Sequence, residues 1–323
     1  KFRVTRRVSG PNRALHLLRP LLRAFAALCC FTATLAFGNP VAPRMLLLDG
    51  AIVGSDIVAV GERGTILRST DQAHTWIAAT PPPAAVATLT GVSFTSDATQ
   101  GWAVGHDALI LHSTDRGASW EKQWQGENLQ DSFLDVLALD AKRAIAVGGY
   151  GLFVATADGG KTWARRKILD DDSHLNRISR GPEGTLYLAG EHGVLLHSTD
   201  DGVSWTRLKA PYEGSFYGIL PLDRRTLVAY GLRGRLYRSA DDGATWTLLA
   251  TPQPASLATA IKLKSNSLVL AGQARTLLVS RDYAQTVAPL ATAPTTAVAE
   301  LLELPDGTLL ALGEAGATVL PKP

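Results

Sequence analysis

The amino-acid sequence predicts an all-β protein, a seven-bladed β-propeller of four-stranded antiparallel blades, on three observations. A motif of the form S-x-D-x-G-x-x-W ends at Trp76, Trp120, Trp163, Trp205 and Trp246, with a worn copy ending at Val287, so its spacing runs 44, 43, 42, 41 and 41 residues. A fixed period of that size is the signature of a repeat architecture. Glycine recurs at 61, 105, 148, 190, 231, 272 and 313, at the end of an apolar run each time, which gives seven copies. Each repeat also holds four short strand-like runs, the number that makes one propeller blade.

The elements of a repeat follow in a constant order. An apolar strand opens it, as at Leu89–Phe94 or 134–139, and a turn follows, marked in some copies by Gly181-Pro182, Asn266 or Asp306-Gly307. The second strand ends on the repeating glycine, and a short turn leads to the third. The second and third strands read as continuous apolar runs, such as Ile57 to Val60 or Leu195-Leu196, as strands covered on both faces do. The motif then turns the chain into the fourth strand.

That motif has the chemistry of a hairpin turn. The carboxylates of Asp71, Asp115, Asp158, Asp200, Asp241 and Asp282 can accept bonds from backbone N–H groups just ahead of them, and the glycine supplies a left-handed residue. The Ser or Thr two residues before the Asp adds a local side-chain bond. The Trp is a large apolar anchor that can bury against a neighbouring sheet while its N–H finds a partner. These residues match the Asp-box of BNR-repeat proteins, and the resemblance runs from about Met45 to the end. Enzymes and non-enzymes both carry Asp-boxes, so the motif speaks for fold and leaves function open.

Residues 1–38 read as a separate segment. Seven basic residues and no acidic one accompany the apolar, small-residue run 24–38, and Ala36 and Gly38 stand where a signal peptidase wants small residues before Asn39. A signal peptide is expected, with an uncleaved N-terminal anchor as the alternative, and export to the periplasm or to the outer side of the inner membrane follows from either. Without this segment the chain has 25 basic against 29 acidic residues, so the net charge moves from +3 to −4. A nucleic-acid binder would need a clustered basic face, and none is expected. Both cysteines, Cys29 and Cys30, fall in the apolar run, leaving 39–323 without a thiol, a disulfide or a Cys-ligated metal. That stretch reads as one propeller. Its last repeat lacks a fourth strand, and residues 39–44 are expected to supply it by pairing with 317–320.

In a propeller the turns between second and third strands share one face with the loops between blades, opposite the Asp-boxes. Glu62, Arg63, His106, Tyr150, Glu191, His192 and Arg233 occupy those turns and form the candidate partner-binding face. The loop Asp170-Asp171-Asp172-Ser173-His174 holds three carboxylates and an imidazole. Consecutive acids point in different directions, unlike the alternating ligands of Ca²⁺ loops, so no metal and no cofactor are expected. Arg68, His112, His197 and Arg238 stand at equivalent places before the box and read as structural.

Two functional classes remain. A sialidase-like glycoside hydrolase is the enzymatic alternative, since Asp-boxes decorate such propellers. Members of that class resemble one another in an Arg-Ile-Pro motif, an arginine clamp and a Tyr–Glu pair; here the nearest match is Arg177-Ile178-Ser179, and Arg63, Arg233 and Arg275 are the only candidate clamp. The other class is a non-catalytic scaffold. The run from Val58 to Asp71, V-A-V-G-E-R-G-T-I-L-R-S-T-D, resembles the propellers of the photosystem II stability and assembly factor family. The resemblance implies a partner chain bound through an arginine-rich surface, matched here by Arg63, Arg68, Arg233, Arg235 and Arg238, and no small-molecule substrate. Envelope relatives of the family imply a membrane complex or a transporter component as partner.

Overall fold

The computed structural model describes residues 44–80, 82 and 86–323. They form seven antiparallel sheets, one per sequence repeat, with the strands of each sheet in chain order. The first strands are Leu47–Val53, Leu89–Phe94, Phe133–Ala138, Leu175–Arg180, Phe216–Pro221, Leu257–Lys262 and Val298–Glu303. Each packs against the first strand of the next blade, and that of blade 7 packs against that of blade 1, so together they wall the central channel of a closed seven-bladed propeller. Fourth strands are short, two residues in blades 1, 3, 4, 5 and 6, and five in blade 2 (Glu121–Gln125).

Apolar clusters fill every interface between blades. Val58 and Val60 of blade 1 meet Leu89, Val92, Leu109 and Trp120 of blade 2, and the pattern repeats around the ring. The ring closes through Leu47, Ala59, Leu67 and Trp76 of blade 1 against Leu304, Leu310 and Leu312 of blade 7. Full burial of one such side chain is worth about 1.5–3 kcal/mol, which is why second and third strands lack the polar alternation of a one-sided sheet. Each Asp-box Trp sits in the cluster its blade shares with the preceding one, and Val287 does the same in the worn copy.

The repeating glycine ends the second strand in all seven blades, and the reason is steric. A Cβ at Gly61, Gly105, Gly148 or Gly272 would lie 2.0–2.1 Å from a carbonyl oxygen just before the first strand of its own blade, and at Gly190, Gly231 or Gly313 2.3 Å from it. That approach lets the next residue's N–H bond the same carbonyl, as in Glu62 to Leu46 (3.1 Å), His106 to Thr88 (3.0 Å) and Leu232 to Ser215 (3.0 Å). Beside this contact every first strand carries a bulge, with the register slipping between residues such as Leu47 and Asp49 or Leu175 and Arg177.

The Asp-boxes form as the motif dictates, with one feature more. Asp115 accepts the Ser119 N–H at 2.9 Å and the Ser119 hydroxyl at 2.6 Å, while the Ser113 hydroxyl donates to Asp115 and accepts from the Gly117 N–H, both at 2.9 Å. The same bonds recur in the other five boxes, so the residue before the box's last position is a hydroxyl partner: Thr75, Ser119, Thr162, Ser204 and Thr245 before a Trp, and Thr286 before Val287. The expectation for the indole N–H needs correction. Trp120 donates to the Gly117 carbonyl at 3.1 Å, but the shielded N–H groups of Trp163, Trp205 and Trp246 have no protein partner among the described residues.

Residues 1–38, expected to be a signal peptide, lie outside the described residues, as do 39–43 of the segment expected to close blade 7. Arg44 is exposed and belongs to no strand. Among the described residues blade 7 has three strands, ending with Gly316–Leu320. No helix among the described residues is long and apolar enough to cross a membrane.

Candidate docking face

The turn after each repeating glycine is built on two consecutive left-handed residues in six blades: Arg63-Gly64, Asp107-Ala108, Tyr150-Gly151, His192-Gly193, Arg233-Gly234 and Ala274-Arg275. The first of each pair points its side chain away from the strands, and Arg63, Asp107, Tyr150, His192 and Arg233 are all exposed. One backbone frame thus presents a cation, an acid, a phenol, an imidazole and a second cation around one face. His106 is exposed as well, whereas Glu62 and Glu191 are half-buried. Both glutamates turn back toward the chain entering their own blade, Glu62 to the Leu46 N–H and Glu191 to the His174 N–H, each at 3.4 Å. Among the described residues no protein group bonds the guanidinium of Arg63 or of Arg233.

The structure joins only part of this set. Tyr150 meets the His174 ring edge-on at 4.8 Å, His174 lies 3.7 Å from Glu191, and His192 Nδ1 is 3.1 Å from the Ser173 hydroxyl. Arg235 stacks over Tyr212 at 5.5 Å. Tyr150, Glu191 and His192 therefore belong to one stretch across blades 3 and 4. Among the described residues no hydrogen bond, ion pair or ring contact joins Arg233 on blade 5, or Glu62, Arg63 and His106 on blades 1 and 2, to that stretch.

Blades 3, 4 and 5 each add a groove between this turn and the outermost strand. The groove of blade 3 has a volume of about 480 Å³ and is lined by Tyr150, Arg165, Arg166, Lys167, Leu169 and Asp171 among others. That of blade 4 measures about 480 Å³ and includes His192, Arg207 and Tyr212. In blade 5 it measures about 420 Å³ and includes Arg233, Arg235 and Leu248. Tyr150 is 71% and Leu248 51% exposed, so both offer apolar surface at the mouths of these grooves. Sequence reading placed the turn residues but missed the outermost-strand cations Arg165 and Arg207, because that strand is two residues long and carries no periodic pattern.

The Asp170–Asp172 loop is held by its own bonds. Asp171 accepts the Ser173 N–H at 3.0 Å, and the Ser173 bonds hold its carboxyl below the usual range. Arg207 lies 3.9 Å from its other oxygen. The residues before the boxes do structural work: Arg68 pairs with Asp56 at 2.6 Å, His112 bonds Gln100 at 2.8 Å, and Arg238 donates to the Tyr283 carbonyl at 3.1 Å. Those two arginines are committed to the propeller, so the arginine set matched to the family contracts to Arg63, Arg233 and Arg235.

The family model described as "Photosynthesis system II assembly factor YCF48" matches residues 47–129 and 122–261. The chloroplastic photosystem II stability/assembly factor HCF136 of Oryza sativa subsp. japonica is 29% identical over 169 residues, 50% of this chain and 40% of that protein. The photosystem II assembly lipoprotein Ycf48 of Synechococcus sp. (strain CC9902) is 38% identical over 91 residues, 26% of this chain and 27% of its own. The chain thus spans less than half the length of these curated relatives. A structure of YCF48 bound to D1 peptide superposes with a TM-score of 0.73 at 21% identity, covering 88% of this chain and 96% of that one, a likeness of fold. With its matched segments spanning most of the propeller, the chain belongs to the photosystem II assembly factor YCF48 family.

Proposed function

We propose that this chain is a non-catalytic docking scaffold, exported to the outer side of the inner membrane, that binds a protein partner through the face bearing Arg63, Tyr150, His192 and Arg233. The observation that carries the reading is the left-handed turn frame repeated in six blades, which presents side chains of five different kinds. Variable groups on an invariant support are where specificity is encoded, whereas Asp-box turns repeat the same residues for a shared backbone need. The grooves of blades 3–5, with Tyr150, Arg207, Arg233 and Leu248, supply the aromatic, cationic and apolar anchors that dominate binding energy at interfaces.

Family membership supports a membrane complex as the source of the partner, since the YCF48 of known structure binds a D1 peptide and the cyanobacterial relative is a lipoprotein. A transporter component is the other membrane partner the reading accommodates. Capture of partner by immobilised protein is the test. R63A/R233A should reduce capture at least tenfold with little change in melting temperature, the loss expected for interface arginines. Capture that survives this change and disappears in R116A/K161A, on the Asp-box face, would refute the choice of face. Arg63-dependent release of product from sialosides would refute the non-catalytic reading.

A further inference from the structure

Just past the bulge in each first strand, on the strands that wall the central channel, stands one residue per blade: Asp49, Gly91, Asp135, Arg177, Gly218, Thr259 and Glu300. Four of the seven are ionisable, and they meet. Arg177 of blade 4 reaches across to Glu300 of blade 7 at 2.7 Å, and Thr259 of blade 6 donates to the other Glu300 oxygen at 2.7 Å. Asp49 accepts the Val92 N–H at 2.7 Å, and Asp135 accepts the Val136 and Ile178 N–H groups at 2.8 and 2.9 Å. The Tyr230 hydroxyl fills the space left by Gly218, where a Cβ would lie 2.2 Å from it. Asp49 and Glu300 are buried, and Asp135 and Arg177 half-buried. Among the described residues the Tyr230 phenol, beside Arg177, is the other titratable group acting on the cluster.

Charge does not balance there. One guanidinium faces three carboxyl groups, and Glu300, with Arg177, Thr259 and the Leu301 N–H on it, is the one fully served. With every group ionised the enclosed cluster would hold two uncompensated negative charges, which a desolvated site resists. We propose that this cluster is a proton-loaded tie across the ring: Arg177 and Glu300 bridge blades 4 and 7, while Asp49 and Asp135 take up protons as the surroundings acidify, making the propeller more stable in a mildly acidic compartment.

The titration of the two aspartates agrees. Burial, then the charge of Glu300, pushes Asp49 well above the ordinary range. Burial pushes Asp135 up to about 6 against the opposing pull of Arg177. A carboxyl held higher in the folded than in the unfolded chain stabilises the fold fully below the unfolded value near pH 4, and that contribution is lost as pH rises through about 6. For Asp135 the change in the folded-to-unfolded ratio across that window is about tenfold to a hundredfold, the lower figure reflecting its partial accessibility.

The test compares the full chain with D49N/D135N, in which Asn is uncharged at every pH, so that any hydrogen bond it loses shifts stability by the same amount throughout. His112, pushed down by burial, destabilises the fold on acidification, but equally in both proteins. At pH 7.5 the variant should melt several degrees above the parent, and the gap should close as pH falls to 4.5. A gap that stays constant, or a variant that melts below the parent by the same amount throughout, overturns the proposal. Should the variant not fold, ¹³C titration of the parent's Asp carboxyls decides: two midpoints above pH 5.5 uphold the tie, and none above pH 5 refutes it.

Discussion

Gly105→Ala tests the packing that positions the docking face. The added Cβ would stand 2.0 Å from the Thr88 carbonyl oxygen and 2.9 Å from the Leu89 Cα, where real Cβ contacts stay beyond 3 Å. The oxygen must retreat by about 1 Å, an overpacking that costs roughly 1–3 kcal/mol. Retreat also breaks the 3.0 Å bond from the His106 N–H, adding about 0.5–1.5 kcal/mol. The stiffer unfolded chain returns about 0.4–1 kcal/mol. A net loss centred on ~2 kcal/mol, within about 0.5–4, follows, read from the shift of the urea unfolding midpoint at constant slope. Gly54→Ala is the control, because Gly54 is left-handed (φ +67°) with nothing within 4 Å of a Cβ, so it carries only the conformational cost of about 1 kcal/mol. If Gly105→Ala costs no more than Gly54→Ala, the repeating glycine is there for backbone freedom and the steric account is wrong.

Three further outcomes follow from the boxes. Ala73 holds φ 68° where four other boxes have glycine, so Ala73→Gly should stabilise by about 0.5–1 kcal/mol in thermal denaturation, and a loss would contradict the strain argument. Asp115→Ala should speed hydrogen exchange of the Ser119 amide about tenfold or more, and unchanged exchange would show that Asp115 does not hold that amide. Asp158, Asp200 and Asp241 are pulled down to about 2, chiefly by the hydroxyl and N–H bonds of the residue four positions on. Carboxyls held low stabilise the fold above the unfolded value and lose that contribution as pH falls through about 2, so melting temperature should drop between pH 4 and 2. A flat profile there would contradict it.

Most of the fold could be read from residues that recur for one backbone reason. Glycine at 61 and its six repeats, and the Ser/Thr–Asp–Gly–Trp frame, are set by a carbonyl approach and a left-handed turn that every blade must make. The hydroxyl residue four positions after each box Asp was equally visible, six times in six boxes, but both Ser and Thr occur there and only the 2.6–2.7 Å bonds to the Asp reveal the shared role. Blade-to-blade packing was legible from apolar runs; the partnerless indoles were not, because an N–H's partner depends on a carbonyl several residues away.

The channel cluster was hidden for the opposite reason. Asp49, Gly91, Asp135, Arg177, Gly218, Thr259 and Glu300 keep the period of the repeat, yet their chemistry differs at nearly every step. Periodicity displays what the blades share, and a cross-ring contact needs unlike residues at like positions: an arginine in blade 4 can meet a glutamate in blade 7 only because the fold brings equivalent places round a ring together. The docking face follows the same logic at the turns, where one backbone frame carries an arginine at 63 and 233, a tyrosine at 150 and a histidine at 192. In this architecture sameness along the period builds the support. Differences at fixed phase, lying within reach of one another, are where chemistry particular to this chain can reside.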